Sequence, residues 1–253
     1  MRLQPNGVAV NISDTVVDVG AFAQMFPLLP PESALNKAEK LEVYYEPDVT
    51  IGLMFCCAGG SMRFGGSPSE SRREVAVSSF RFIYQECAQS LKELYIHGSN
   101  DKEEGYIFDG FTCFNLEKLV VVVGGDVSNR LCEVLDPRNS EIETLPAPRL
   151  RSLAIRKLYD QRQLECLVAL CEARFRTKHP LQEVSVEWIR KGTDVPEWMR
   201  RLCTLSPIPI GIDTSGSWDG QMMKLPSELC TEDGEIWWPS WEGMIDTSWE
   251  YNC

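Results

Sequence analysis

The sequence predicts an α/β fold, an irregular solenoid with parallel strands on one face and helices on the other, and three observations carry that prediction. A short apolar phrase recurs as Leu91-x-x-Leu94-x-Ile96, Leu116-x-x-Leu119-x-Val121, Leu150-x-x-Leu153-x-Ile155 and Leu181-x-x-Val184-x-Val186, restarting after 25, 34 and 31 residues. Stacked supersecondary units that share one continuous core restart in this way. Between the phrases the hydrophobic period changes from 2 to about 3.6, as a helix connecting two strands requires. Within the phrases, polar residues such as Lys92, Glu93, Arg151, Arg156, Gln182, Glu183 and Glu187 alternate with the apolar ones, so one sheet face is expected to meet solvent. A doubly wound sheet satisfies the same order of elements, but its strands lie between two helical layers and read as near-continuous apolar runs. Only Leu119 to Val123 reads that way.

Taken in order, Val8, Val10 and Ile12 alternate as a half-buried strand does, and Asp18 to Met25 is expected to be helical with Val19 and Phe22 inward. Ala38-x-x-Leu41-x-Val43 repeats the phrase. The long interval to Leu91 holds Met62 and Phe64, which either form a further unit or lie in a loop, because Gly59, Gly60, Gly65 and Gly66 crowd them. Residues 71 to 90 have helical spacing through Val75, Phe80, Ile83, Tyr84 and Cys87. A shorter helix runs from Asp126 as N-cap through Leu131 and Leu135 and stops before Pro137. The clearest helix covers 161 to 177, where Leu164, Leu167, Val168, Cys171 and Phe175 form the inner stripe against Glu165, Glu172 and Arg174. Leu205-x-x-Ile208-x-Ile210 is the sixth unit. Strand and helix in series imply right-handed crossovers between parallel strands. The solenoid is assigned to residues 1 to 212, and residues 213 to 253 to a Trp-rich acidic C-terminal cap or tail. That last segment holds Trp218, Trp237, Trp238, Trp241 and Trp249, with seven acidic residues and no Lys or Arg after Lys224.

Composition narrows the function classes. The formal charge of −12 argues against nucleic acid or an anionic membrane as partner, since both are gripped by clustered Lys and Arg. Met1-Arg2-Leu3-Gln4-Pro5 does not read as a secretory signal, and no apolar run is long enough to span a bilayer. A cytoplasmic or nuclear location is expected. Ten cysteines are scattered, without a Cys-x-x-Cys pair, and are read as reduced thiols filling core space rather than as metal ligands.

Leu91-Lys92-Glu93-Leu94-Tyr95-Ile96-His97 and Pro148-Arg149-Leu150-Arg151-Ser152-Leu153-Ala154-Ile155, each beside an apolar helix, resemble leucine-rich repeats. The stretch from Leu150 through Val186, with a helix rich in Leu, Cys, Glu and Arg leading into a Pro-Leu-x-x-Val-x-Val strand, resembles the irregular repeat region C-terminal to the F-box in many fungal F-box proteins. The similarity covers residues 38 to 212. It implies a noncatalytic protein–protein interaction scaffold, substrate recognition for a ubiquitin ligase adaptor, and ligase components among otherwise unidentified protein partners. Two departures stand out. The Asn or Cys that regular repeats place three residues beyond the third apolar position is replaced by Ser99, Gly124, Leu158 and Ile189, so there is no asparagine ladder. The F-box itself is not found; Leu29-Pro30-Pro31-Glu32 echoes its opening phrase, but Leu41 already begins a strand.

Alternation places Lys40, Glu42 and Tyr44; Glu93, Tyr95 and His97; Lys118, Val120 and Val122; Ser152, Ala154 and Arg156; and Glu183, Ser185 and Glu187 on the outward face. Tyr and Arg are the types most often energetic at interfaces. Tyr44, Tyr95, His97, Lys118, Val120, Val122, Arg156, Glu183 and Glu187 are therefore the candidate binding residues, with the two valines as an apolar centre. Catalytic chemistry is not expected: His97 and His179 are the two histidines, and neither adjoins a Gly-x-Ser-x-Gly nucleophile signature. Ala58 to Ser67 lacks the Gly-Lys-Ser/Thr ending of a phosphate loop. Asp213-x-Ser215-x-Ser217-x-Asp219 has Trp218 and Lys224 where a calcium loop needs Gly and Glu. No metal and no cofactor are expected. The alternative is an enzyme of doubly wound type with its site at strand C-terminal ends, near His97 and Gly124-Gly125.

Overall fold

The computed structural model describes residues 2–4, 7–12, 38–46, 50–57, 60–66, 84–98, 108, 110–122, 126–139, 145–158, 160–188 and 194–214; for 2–12, 44–66, 98, 126, 127, 157 and 158 the backbone alone is described. The strands are β1 (Arg2–Gln4), β2 (Gly7–Ile12), β3 (Lys40–Glu46), β4 (Thr50–Cys57), β5 (Gly60–Gly66), β6 (Glu93–Gly98), β7 (Lys118–Val122), β8 (Ser152–Leu158), β9 (Glu183–Trp188) and β10 (Ile210–Asp213). The helices are α1 (Asp126–Leu135), α2 (Gln161–Arg176) and α3 (Glu197–Leu205). All ten strands join one sheet in the order β1-β2-β5-β4-β3-β6-β7-β8-β9-β10. From β3 through β10 six strands run parallel, with Leu41, Leu94, Leu119, Leu153, Val184 and Ile210 in lateral register. The chain is thus of α/β class.

The five apolar phrases from Ala38 to Leu181 do the same work in their units. Their first, fourth and sixth positions, such as Leu91, Leu94 and Ile96 or Leu181, Val184 and Val186, are buried in one cluster. Leu131, Cys132 and Leu135 of α1, Leu164, Leu167 and Cys171 of α2, and Met199 and Cys203 of α3 belong to that same cluster, so the three helices pack against one face of the sheet. The second position supplies a carbonyl that accepts two N–H groups from the next unit. Glu39 O accepts from Lys92 and Glu93 at 2.8 and 3.0 Å, Lys92 O from Glu117 and Lys118, Glu117 O from Arg151 and Ser152, and Arg151 O from Gln182 and Glu183. This backbone series joins neighbouring turns where an asparagine ladder is lacking, and it satisfies the donors at each strand entrance.

The sixth unit is two residues later than the phrase suggested. Ile210 and Ile212, not Ile208 and Ile210, lie beside Val184 and Val186. Pro209 therefore occupies the position of Glu183, where it has no N–H to donate, and Ile208 N donates instead to Ser206 Oγ at 3.4 Å. The carbonyl series ends there, on a strand with no further neighbour among the described residues, where proline is tolerated.

Part of the interval between β3 and β6 forms two further strands, β4 and β5. β4 runs antiparallel to both β3 and β5, and β5 lies parallel to β2. Met62 and Phe64 consequently lie in a strand and not in a loop, but not in a further unit of the parallel series, since β5 sits between β4 and β2. Val8, Val10 and Ile12 do form a strand. The helix expected over 18 to 25 lies outside the described residues, as does most of the one over 71 to 90, of which a helical turn at 84–87 with buried Tyr84 and Cys87 is described.

Helix α2 begins with a capping box: Gln163 N donates to Asp160 Oδ1 at 2.9 Å while Asp160 N donates to Gln163 Oε1 at 3.3 Å. Its last turn reverses one assignment. Phe175 is 56 % exposed and Arg174 fully buried, although the apolar stripe was expected to include the first and exclude the second. Residues i+3 and i+4 from Cys171 border the stripe equally, and the tie is broken by carbonyls that only a donor can satisfy: Arg174 Nε donates to His179 O at 3.1 Å and Nη2 to Ala147 O at 2.9 Å. The helix closes with His179 N bonded to Arg174 O and Lys178 N to Phe175 O, the Schellman pattern. Lys178 sits at its left-handed position with φ of 64°. Lys178→Gly is expected to raise stability by about 1 kcal/mol by removing the Cβ penalty there, measured by urea denaturation; an unchanged or lower midpoint would contradict it.

Cys87, Cys113, Cys132, Cys171 and Cys203 are buried free thiols and Cys166 is partly buried. Burial pushes the Cys113 thiol up to about 12 and that of Cys171 up to about 11, which keeps both protonated and unreactive at neutral pH.

Candidate interaction surface

On the face of the sheet away from the helices, the register assembles three transverse rows. Nearest the strand starts are Lys40, Glu93, Lys118, Ser152 and Glu183; next come Glu42, Tyr95, Val120, Ala154, Ser185 and Gly211; the third contains Tyr44, His97, Val122 and Arg156, with Glu187 beside Asp213 on the last two strands. A bulge between Ile155 and Leu158 breaks the registry of β8 and β9 at the third row.

The first row is held by charge. Lys40 Nζ lies 2.9 Å from Glu93 Oε1, and the Tyr95 hydroxyl donates to Glu93 Oε2 at 2.8 Å. Desolvation tends to raise the Glu93 carboxyl, but these two donors outweigh it and hold it below the usual carboxylate range. Lys118 Nζ stands 5.3 Å over the centre of the Tyr95 ring, a cation–π distance, and Ser152 Oγ donates to Glu183 Oε2 at 3.0 Å. Burial first, and the bond to Glu93 second, push the Tyr95 phenol up. Flanking this row, Lys92 Nζ pairs with Glu39 Oε1 at 2.9 Å, and Glu117, Arg151 and Gln182 are exposed.

Over β3, β6, β7 and β8 the described side chains of the two deeper rows are buried, which corrects the expectation of a bare sheet face; Ser185 is half-buried and Gly211 exposed. Tyr95 is 4 % and Val120 2 % exposed, and Val122, Ala154, His97, Arg156 and Glu187 are also buried. Lys118 is half-buried and Glu183 exposed. The side chain of Tyr44 lies outside the described residues; its backbone pairs with His97. Alternation specifies which face a side chain takes and says nothing about what covers that face. The register does bring the candidates of β6, β7 and β8 together, and Glu183 and Glu187 follow on the adjacent strand.

Two polar groups in the deeper rows have partners that the linear sequence does not reveal. Glu42 is fully buried, and His97 Nε2 lies 2.8 Å from its Oε1, at ion-pair distance though not aligned as a hydrogen bond. Arg156 Nη1 donates to Asp213 Oδ2 at 3.1 Å, so the first carboxylate of the calcium-like stretch is engaged by a guanidinium. Reading Glu42 as a buried acid would have required knowing that β3 and β6 are neighbours, since His97 is 55 positions away.

Comparison with protein-family models, curated proteins and solved structures returned no match. Among the described residues, no three His, Cys, Asp or Glu side chains converge as metal ligands, and no helix is long and apolar enough to cross a membrane. The geometry offers a charged rim above a buried aromatic and apolar floor. Electrostatic steering and shape matching are what such a rim can do.

Proposed function

We propose that the chain is a noncatalytic protein-interaction scaffold, an irregular leucine-rich-repeat-like solenoid whose recognition edge is the rim at the strand entrances. The repeated backbone contact carries this reading: each unit presents its second and third residues in the same place, giving Glu39-Lys40, Lys92-Glu93, Glu117-Lys118, Arg151-Ser152 and Gln182-Glu183 along one line. A partner bearing a complementary pattern of alternating charges meets these residues first. Tyr95, His97, Val120, Val122, Arg156 and Glu187 form the floor that keeps the rim in register, and Lys118 and Glu183 are the candidate residues in direct contact. The common seat of all three described helices on one sheet face accords with this reading.

The resemblance to the repeat region of fungal F-box proteins makes the specific form of the scaffold a substrate-recognition part of a ubiquitin ligase adaptor. Affinity purification of the full chain followed by mass spectrometry tests both levels. Arg151→Glu combined with Glu183→Lys is expected to reduce recovery of the principal partner by roughly tenfold, through lost charge complementarity at the rim, while stability changes by no more than about 0.5 kcal/mol. Undiminished recovery removes the rim, and a partner set without ligase subunits removes the adaptor.

A further inference from the structure

We propose that a shallow groove between the last turns of α2 and α3 seats the chain's own acidic, tryptophan-bearing segment, residues 226–253. The groove lies on the helical side, away from the rim, and this inference is independent of the proposed function.

Phe175 and Leu205 are the large hydrophobic residues left exposed among those described, at 56 % and 59 %. They are not scattered. Both line one groove of about 220 Å³ together with Pro207 and the stems of Glu172 and Arg176. Single exposed apolar side chains are ordinary on a protein surface, but two that converge in one concavity mark a contact site. The volume is below that of a drug-sized pocket and suits an aromatic side chain entering from a peptide.

The charge around the groove selects the occupant. Arg176, Lys178, Arg200 and Arg201 are all exposed on the two helices or just beyond α2. Arg201 is one turn before Leu205 and therefore on its side of α3. The two charged residues that line the groove, Glu172 and Arg176, pair at 3.2 Å and neutralise each other, which leaves Lys178, Arg200 and Arg201 as its positive border. A basic border on a chain of net charge −12 calls for a ligand that is acidic and aromatic at once. Residues 226–253 have seven acids, no Lys or Arg, and Trp237, Trp238, Trp241 and Trp249.

Reach is sufficient. The chain leaves β10 at Asp213, and β10 lies against α3. The residues between Thr214 and Trp237 extend to roughly 70 Å at about 3.3 Å each, several times the roughly 14 Å length of the nine-residue α3. A tethered segment also works at millimolar effective concentration, so even a weak seat is filled.

Zero-length carbodiimide cross-linking of the full chain, mapped by mass spectrometry, tests the proposal. Lys178 is expected to couple to carboxylates between Glu228 and Glu250 within the monomer, and Phe175→Asp combined with Leu205→Asp should reduce those products by roughly tenfold, as removal of paired hot-spot anchors does. Coupling of Lys92 to Glu39 should persist in both proteins and shows that the variant is folded and reactive. The proposal is overturned if Lys178 forms no such product, if the variant forms as much of it as the parent, or if the product occurs only in a cross-linked dimer, where the segment of a second copy is the occupant.

Discussion

His97→Leu is expected to destabilise the protein by about 3–5 kcal/mol, because it leaves the fully buried Glu42 side chain without the polar neighbour that stands 2.8 Å from it. Glu42 has no accessible surface, and His97 Nε2 at 2.8 Å is the polar group that stands closest to it among the described contacts. The surroundings, with Tyr95 on the adjacent strand and the apolar Val122 beside His97, offer little water to solvate a lone carboxyl. Converting both partners at once has a different outcome. Glu42→Leu with His97→Leu removes the carboxyl together with the group that matched it, and the double variant should lie within about 1 kcal/mol of the parent or be more stable. Urea denaturation of the four proteins in a double-mutant cycle measures the coupling. Additive single effects, with no recovery in the double variant, would show that the pair does not interact.

Arg174→Ala is expected to cost about 3–4 kcal/mol. The side chain is fully buried, and its guanidinium joins the loop before β8, through Ala147 O, to the loop before β9, through His179 O. Burial pulls its pKa down to about 10, still far above neutrality, so the group remains a cation and its hydrogen bonds are charge-assisted. Truncation removes both charge-assisted bonds, leaving Ala147 O with only the 3.3 Å bond from Leu150 N, and opens a cavity in addition. Arg174→Lys keeps the charge but cannot span two carbonyls with one ammonium, and should lose about half as much. Equal losses for Ala and Lys in urea denaturation would show that the fork geometry is essential and charge immaterial; a negligible loss for Ala would show that the neighbouring contact from His179 Nδ1 to Pro148 O at 3.1 Å holds the loops alone.

The elements that were legible share a property: their periodicity is local. The phrases at Leu91, Leu116, Leu150 and Leu181 became parallel strands because an alternating apolar face cannot be buried except against a sheet neighbour and a helix. Helices α1 and α2 followed from spacing, with Pro137 marking the exit of the first. The capping box at Asp160 and Gln163 was present in the sequence as an Asp-x-x-Gln pattern and would have sharpened the start of the second. The register of β10 was not legible. Pro207-Ile208-Pro209-Ile210-Gly211-Ile212 is apolar at every second residue and fits the template in two frames; pairing of Ile210 with Val184 selects one of them. The antiparallel hairpin was hidden for a related reason: β5 is glycine-rich, with little side-chain pattern to read, and β4 is apolar at nearly every position without alternation.

The candidate surface divided in the same way. Which residues share a face was available from alternation, and the register bears out that grouping for β6, β7 and β8. Exposure was not available, because whether Tyr95, Val120 and Arg156 meet water depends on everything packed above them, which is a non-local quantity. Arg174 and Phe175 show the limit most clearly: helical phase alone treats them alike, yet one is enclosed and the other projects into a groove.

The sequence by itself determined the strand pattern, in which the first, fourth and sixth positions enter a common core, in its five frames from Ala38 to Leu181. That pattern follows from hydrophobic period, which is encoded within a few residues. Only the tertiary structure decided the neighbours: the carbonyl at each second position that links one unit to the next, the burial of Glu42 against His97, and the exchange of Arg174 for Phe175 at the end of α2. Each depends on groups brought together from distant parts of the chain, where satisfying a buried polar atom outweighs the preference any residue carries alone.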